Sequence, residues 1–419
     1  MIYPYLFGSS SVVSFDIGGQ IFPFELILIG LALVYLKKLN YKNGVDKDVR
    51  KFIFLGLLYL ISQIITDMIR EISLEDRLKG VSTIIFLVVG SVALRIFIGN
   101  DEKTLFRIFI GAQIGLIGFS VSSPDMQELG NPWKWGVGSA VAYILAMGGG
   151  KFYEKSESSG RAVGIVIILF AAFLFSQNAR SVGGAIFAAG VLVWGSKRYP
   201  SLTRNLAKKM QRPRNLLFGL PLIGLSFFLF VSLITQIGLA GYFGEEAQKK
   251  YEIQAQGEYG VLLAGRNELI FSSQAIADSP IIGHGSWAKD PQYRQLYWKL
   301  YDFRYVDDDI GKIKEMIYAN DLIPVHSHIF GGWVWAGFLG AVFWMWIIIF
   351  LWKVLLQSIV LRHRYVPVLS ITVLLGTWNI FFSPFGAGTR VQWEIFMAML
   401  FFVNYMNKRL IAEKKQQSF

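Results

Sequence analysis

Apolar runs dominate the chain and are separated, for most of its length, by short charged connections. Long continuous apolar runs are the signature of helices that cross a lipid core about 30 Å thick. The pattern predicts spans over 22–36, 52–68, 80–98, 104–121, 134–150, 161–178, 182–196, 215–240, 329–353, 365–383 and 391–406. Residues 1–20 are weakly apolar and carry Asp16, so they read as a re-entrant or interfacial piece. The count is then eleven transmembrane helices, or twelve if residues 1–20 also cross. One stretch breaks the rhythm: 242–322 is long and hydrophilic, with both signs of charge. The expected organisation is an N-terminal transmembrane bundle (1–241), a loop domain (242–322) and C-terminal transmembrane helices (323–419), all within one all-α polytopic membrane protein.

Composition agrees with that class. Hydrophobic residues make up 53% of 419, and the mean hydropathy is +0.45. A net charge of +12 would ordinarily raise the question of nucleic acid. Here the basic residues cluster between spans, as in Lys37–Lys51, Lys197–Arg214 and Arg362-His363-Arg364. That is the positive-inside pattern, and it accounts for the charge without a polyanionic partner. It places the C-terminus, with Lys408, Arg409, Lys414 and Lys415, in the cytoplasm and the 242–322 loop on the opposite side. The chain has no cysteine, which removes disulfide and thiolate chemistry. No Lys or Arg precedes the first apolar run, so no cleavable signal peptide is expected.

With the sides assigned, a few ionisable groups stand out. His326 lies where the hydrophilic loop meets a span, in His326-Ser327-His328-Ile329-Phe330-Gly331-Gly332. On a helix counted from His326, Gly337 falls roughly 20° and Gly340 roughly 40° from it, so the three share one stripe. An ionisable group at the end of a span is a functional candidate, and an imidazole titrates near neutrality, as a general base requires. Its bland alternative is a histidine hydrogen-bonded at a helix start. Arg180, beside Gly183-Gly184, and Arg390, in Gly386-Ala387-Gly388-Thr389-Arg390, fall at the same, outer ends of spans. Each reads either as an interfacial arginine reaching for headgroups or, with Arg266 in the loop, as part of a diphosphate site, since guanidinium grips phosphate bidentately. Alone, Arg266 reads as a salt-bridging residue beside Glu268 or Glu258. His284, in Ser279-Pro280-Ile281-Ile282-Gly283-His284-Gly285, reads as structural at a tight turn. Asp307-Asp308-Asp309 reads as a helix cap in preference to a metal site. The aromatic run Tyr293, Tyr297, Trp298, Tyr301, Phe303 and Tyr305 reads as an interfacial anchor that would also suit sugar stacking. Lys353 reads as a snorkelling lysine near a cytoplasmic end. No nucleotide loop, zinc motif or Ser-His-Asp order is present.

These residues resemble the O-antigen ligase and O-antigen polymerase superfamily. His326 and Ser327, then Gly337 and Gly340, match its signature: His, a small polar residue, nine residues, Gly, two residues and a small or aromatic residue. Arg180 in Ser176-Gln177-Asn178-Ala179-Arg180-Ser181 is similar to its arginine at the head of a span. Arg266 with Ser279–Gly285 is similar to the start of its external loop. The resemblance covers about 160–400 by motif; the first 150 residues match in plan only. It implies a GT-C-like glycosyltransferase of the bacterial inner membrane with its site facing the periplasm. The donor would be a glycan on undecaprenyl diphosphate, and no metal or other cofactor would be needed. Arg180 and Arg266, with Arg390 as a third candidate, would bind the diphosphate, and His326 would take the acceptor's proton. The acceptor would be another lipid-linked glycan for a polymerase, or lipid A–core for a ligase. The Ile323–Ser327 and Phe343-Trp344 contexts are slightly closer to polymerases. A chain-length regulator is a possible partner. The competing class is a transporter of lipid-linked sugars, which would show inverted repeats or broken helices at mid-membrane.

Overall fold

A computed structural model describes residues 2–16, 19–35, 46–123, 129–211, 236–242, 268–293 and 322–417, with a few isolated positions between 215 and 295. The chain is mostly helical. Its elements are α1 (Tyr3–Ser9), α2 (Pro23–Tyr35), α3 (Lys47–Ile69), α4 (Leu74–Ile98), α5 (Glu102–Ser122), α6 (Pro132–Trp135), α7 (Val137–Lys155), α8 (Glu157–Ser176), α9 (Arg180–Arg198), α10 (Pro200–Met210), α11 (Glu268–Asp278), α12 (His328–Ala336), α13 (Phe338–Leu361), α14 (Val366–Phe382) and α15 (Ala387–Gln416). Six of them, α3, α4, α5, α8, α13 and α15, are long and apolar enough to cross a membrane. Four further expected spans coincide with the shorter or less apolar helices α2, α7, α9 and α14. The span expected over 215–240 lies almost wholly outside the described residues.

Local chemistry explains where the helices start. Asp46 accepts from the backbone N–H of Asp48 and Val49, Ser73 from that of Asp76, and Asp101 from that of Lys103. Each satisfies donors that a first helical turn leaves open. The outer helices turn apolar side chains outward: Phe54, Leu57, Ile61, Ile65 and Met68 on α3 are all exposed. A water-soluble bundle would show the reverse, whereas lipid tails accept this face. The centre is formed by α13, α14 and α15, where Trp344, Phe350, Trp393 and Phe401 are buried.

Among the described residues of 1–20 there is no helix long enough to cross a membrane. α1 has seven residues, about 10 Å of helix, and a 3-10 turn (Ser10–Val12) and a two-stranded hairpin, β1 (Phe15–Asp16) with β2 (Gln20–Ile21), follow it. α1 lies against the middle of α5, where side chains at Gly8, Gly111 or Gly115 would overlap facing backbone. Close packing of small residues of this kind holds helices together in lipid.

One group of ion pairs, at one end of the bundle, shows how the helices alternate. Lys408 at the end of α15 meets Asp46 and Asp48 at the start of α3, both at 2.6 Å, and Lys353 on α13 meets Asp48 at 2.9 Å. Lys353 is therefore paired rather than snorkelling. Arg362, after α13, meets Glu157 at the start of α8 at 2.6 Å, and Arg364 pairs with Glu102 at the start of α5. His363 between those arginines is buried and stacked on Tyr365. Burial pushes its imidazole down to about 4, so at neutral pH it adds no charge to this turn. The starts of α9, α12 and α15 and the ends of α3 and α14 consequently lie at the opposite end.

Candidate functional site

At that opposite end, the segment 322–327 is not helical, and His326 precedes the helix rather than belonging to it. Ser327 is the N-cap of α12: its Oγ accepts from Phe330 N at 3.2 Å and donates to Ile380 O of α14 at 2.8 Å. The single stripe expected for His326, Gly337 and Gly340 does not form. α12 stops at Ala336, and Gly337 breaks the chain with φ +67° before α13 begins. A side chain at Gly337 would overlap the Ile281 carbonyl, and one at Gly340 would overlap the Gly332 carbonyl. The two glycines thus serve different contacts. Gly337 admits the loop turn, and Gly340 lets α13 fold back against α12.

The loop turn is the other part of the sequence pattern. Ser279–Ser286 is fastened to the bundle by its backbone: Ile282 O accepts from Thr66 Oγ1 at 2.6 Å, Gly283 O from Arg70 Nε at 3.1 Å and Pro280 O from Trp333 Nε1 at 2.7 Å. His284 N donates to Val334 O at 2.6 Å. Buried Asp67 accepts from Ser286 N and Ser286 Oγ, both at 2.6 Å. His284 Nε2 lies 2.7 Å from Ala275 O, a structural contact, as expected from its turn setting. Tyr293 is turned inward rather than along an interface, donating to Asp278 Oδ2 at 2.7 Å. Burial, and the Asp278 carboxylate beside it, push its phenol up.

A cavity of about 440 Å³ is bounded by Trp287 and Ala288, which follow this turn, by α12 and by the residues after α14. Val325 and Ser327, on either side of His326, line it with Tyr59, Glu268, Trp335 and Thr389. His326 itself is part-exposed at its border and is not a wall residue. His328 is a wall residue, which the sequence pattern alone does not single out. Its Nδ1 lies 2.7 Å from Ser383 O; a carbonyl only accepts, so Nδ1 carries the proton and Nε2 is left as a bare acceptor. Nε2 has no partner among the described residues, and Trp344, Phe385 and Trp393 surround the ring. Placing the helix start at His326 hid this residue, since the start is two residues later.

The arginines separate. Arg180 opens α9 and is part-buried. α9 ends beside Glu157 through Lys197, so Arg180 lies at the same end as Ser327 and Ser383. Arg266 lies outside the described residues, as do Asp307-Asp308-Asp309 and the aromatic run from Tyr297 onward. Arg390 is not an open guanidinium at this end. It is buried, with Nε at 2.6 Å and Nη2 at 2.8 Å from the two oxygens of Glu25. That bidentate pair satisfies it internally, so its guanidinium is turned to Glu25 and does not line the cavity. No group of three or more His, Asp or Glu able to hold a metal ion occurs among the described residues.

Comparisons of the chain with protein-family models, with curated proteins and with solved structures found no match.

Proposed function

We propose that the chain is a membrane glycosyltransferase, GT-C-like in plan, that moves a glycan from undecaprenyl diphosphate to an acceptor sugar hydroxyl at the periplasmic face of the bacterial inner membrane. The observation that supports this reading is the packing of the Ser279–Gly285 turn on Gly337, at one end of α12, with a cavity lined by Ser327 and the neighbours of His326 at the other. In this mechanism the acceptor oxygen attacks the anomeric carbon as the bond to the diphosphate breaks. The electron pair leaves with the diphosphate, where Arg180 and Arg266 stabilise the growing charge. His326 takes the acceptor's proton. In-line attack gives inversion. The aromatic walls Tyr59, Trp287, Trp335 and Phe385 suit the apolar faces of sugar rings. Repeat-unit polymerisation is the favoured reaction, and ligation to lipid A–core is its alternative.

A second reading, transport of a lipid-linked sugar, draws on two observations: the helix break at Gly337 and the ionisable groups buried near the start of α15. Glycan gels separate the two. A strain lacking the gene is complemented with wild type, His326→Ala, Arg180→Ala or Arg266→Ala, with expression checked. The enzyme reading expects each variant to be present but unable to restore polymer. Single repeat units on lipid A–core then mean a polymerase, and long chains stranded on the carrier mean a ligase. Full complementation by all three variants removes the enzyme reading and leaves transport.

A further inference from the structure

The start of α15 holds a group that the glycosyl-transfer reading does not use. Arg390 and Glu394 are four residues apart and share a helix face. Arg390 is bound to Glu25 of α2, and its Nη2 also donates to Gln20 O at 3.3 Å. Glu394 is fully buried, and neither of its oxygens meets a hydrogen-bond donor among the described residues. Its carboxyl group lies against that of Glu25. On the facing helix α4, Gly90 makes room for it, since a side chain there would overlap the Glu394 carboxyl.

Charge counting gives the protonation state. Two carboxylates and one guanidinium would leave a net negative charge in a site closed to water, with two carboxylates in contact. Like charges so placed do not both ionise, and an unpaired buried charge is costly. Among the described residues no other ionisable group offsets it. Arg95, further along α4, is turned to Phe402 and Tyr405, and Lys353 of α13 is held by Asp48 at the other end. The 3-10 turn Ser10–Val12, also packed on α15, carries no ionisable residue.

We propose that Glu25 and Glu394 share one proton, forming with Arg390 a proton-binding site inside the bundle. Glu394 carries the proton and donates it to a Glu25 oxygen, Glu25 remains the anion paired with Arg390, and the site is neutral. Release frees one proton and leaves two carboxylates facing one guanidinium. The site stands whether the protein transfers or transports glycans.

The test uses the full-length protein in detergent, followed by infrared spectroscopy and thermal unfolding from neutral to alkaline pH. The expected wild-type spectrum shows a protonated-carboxyl C=O band at neutral pH that shifts down in D2O. Glu394→Gln should lose that band, keep the wild-type unfolding midpoint at neutral pH, and lose the drop in midpoint that wild type shows as alkali strips the proton. The wild-type band is read without any variant, so a poorly folding Glu394→Gln does not spare the proposal. Absence of the band in wild type, or its full retention in Glu394→Gln, overturns it. A midpoint raised by sodium relative to choline at neutral pH, in wild type and not in Glu394→Gln, also overturns it, by assigning the site to a metal cation.

Discussion

Gly337→Ala is expected to destabilise the protein by about 3 kcal/mol or more and to free the Ser279–Ser286 turn from the bundle. Two costs combine. The backbone at Gly337 has φ +67° and ψ −160°, a region essentially reserved for glycine, and forcing another residue into it costs about 1–3 kcal/mol. The new methyl group would also overlap the Ile281 carbonyl, and overpacking against backbone costs about 1–3 kcal/mol more. The chain can relieve the clash only by moving the turn away, which gives up the bonds to Thr66, Arg70 and Trp333. Thermal unfolding in detergent, with hydrogen exchange over 279–286, reads both effects. Gly388→Ala is the control. Among the described residues nothing lies within 4 Å of the position a methyl would take there, and its effect should stay within about 0.5 kcal/mol.

Breaking the Glu25–Arg390 pair is expected to cost as much. Arg390→Ala leaves Glu25 as a buried charge without its partner, which costs about 3–5 kcal/mol, whereas Glu25→Ala leaves Glu394 to ionise beside Arg390 and should cost less. The double change Glu25→Leu with Arg390→Met, apolar on both sides, should recover much of that loss. This series also tests Arg390 against the role its place in the sequence invites. An arginine that served only to bind diphosphate would lose activity on replacement and leave the unfolding midpoint unchanged.

Much of the helical plan was legible because hydropathy reports burial in lipid directly, and the expected spans fall on helices wherever residues are described. What escaped the sequence reading was the break inside an apolar run. Nothing in the composition of Ala336-Gly337-Phe338 separates a helix-packing glycine from one that ends a helix. The difference lies in Ile281, which is far away in sequence. The partner of Arg390 was hidden for the same reason, since Glu25 is 365 residues away. Yet a signal was available: Glu25 and Glu394 are carboxylates within apolar runs, and such residues rarely go without a partner or a function. The turn around His284 was read correctly from its glycines because turn chemistry is local. His328 was missed because shifting a helix start by two residues changes which side chains face the same cleft.

The most direct test of the central claim is transfer by the purified protein in lipid vesicles, supplied with a glycan on polyprenyl diphosphate and a soluble or lipid-linked acceptor. Released polyprenyl diphosphate and elongated glycan are measured together. The account predicts that wild type releases one diphosphate for each new linkage, with no nucleotide sugar added, and that His326→Ala slows the reaction by about 10²–10⁴-fold without unfolding. Folded wild-type protein that binds the donor and forms no linkage, or His326→Ala that works at the wild-type rate, would contradict it.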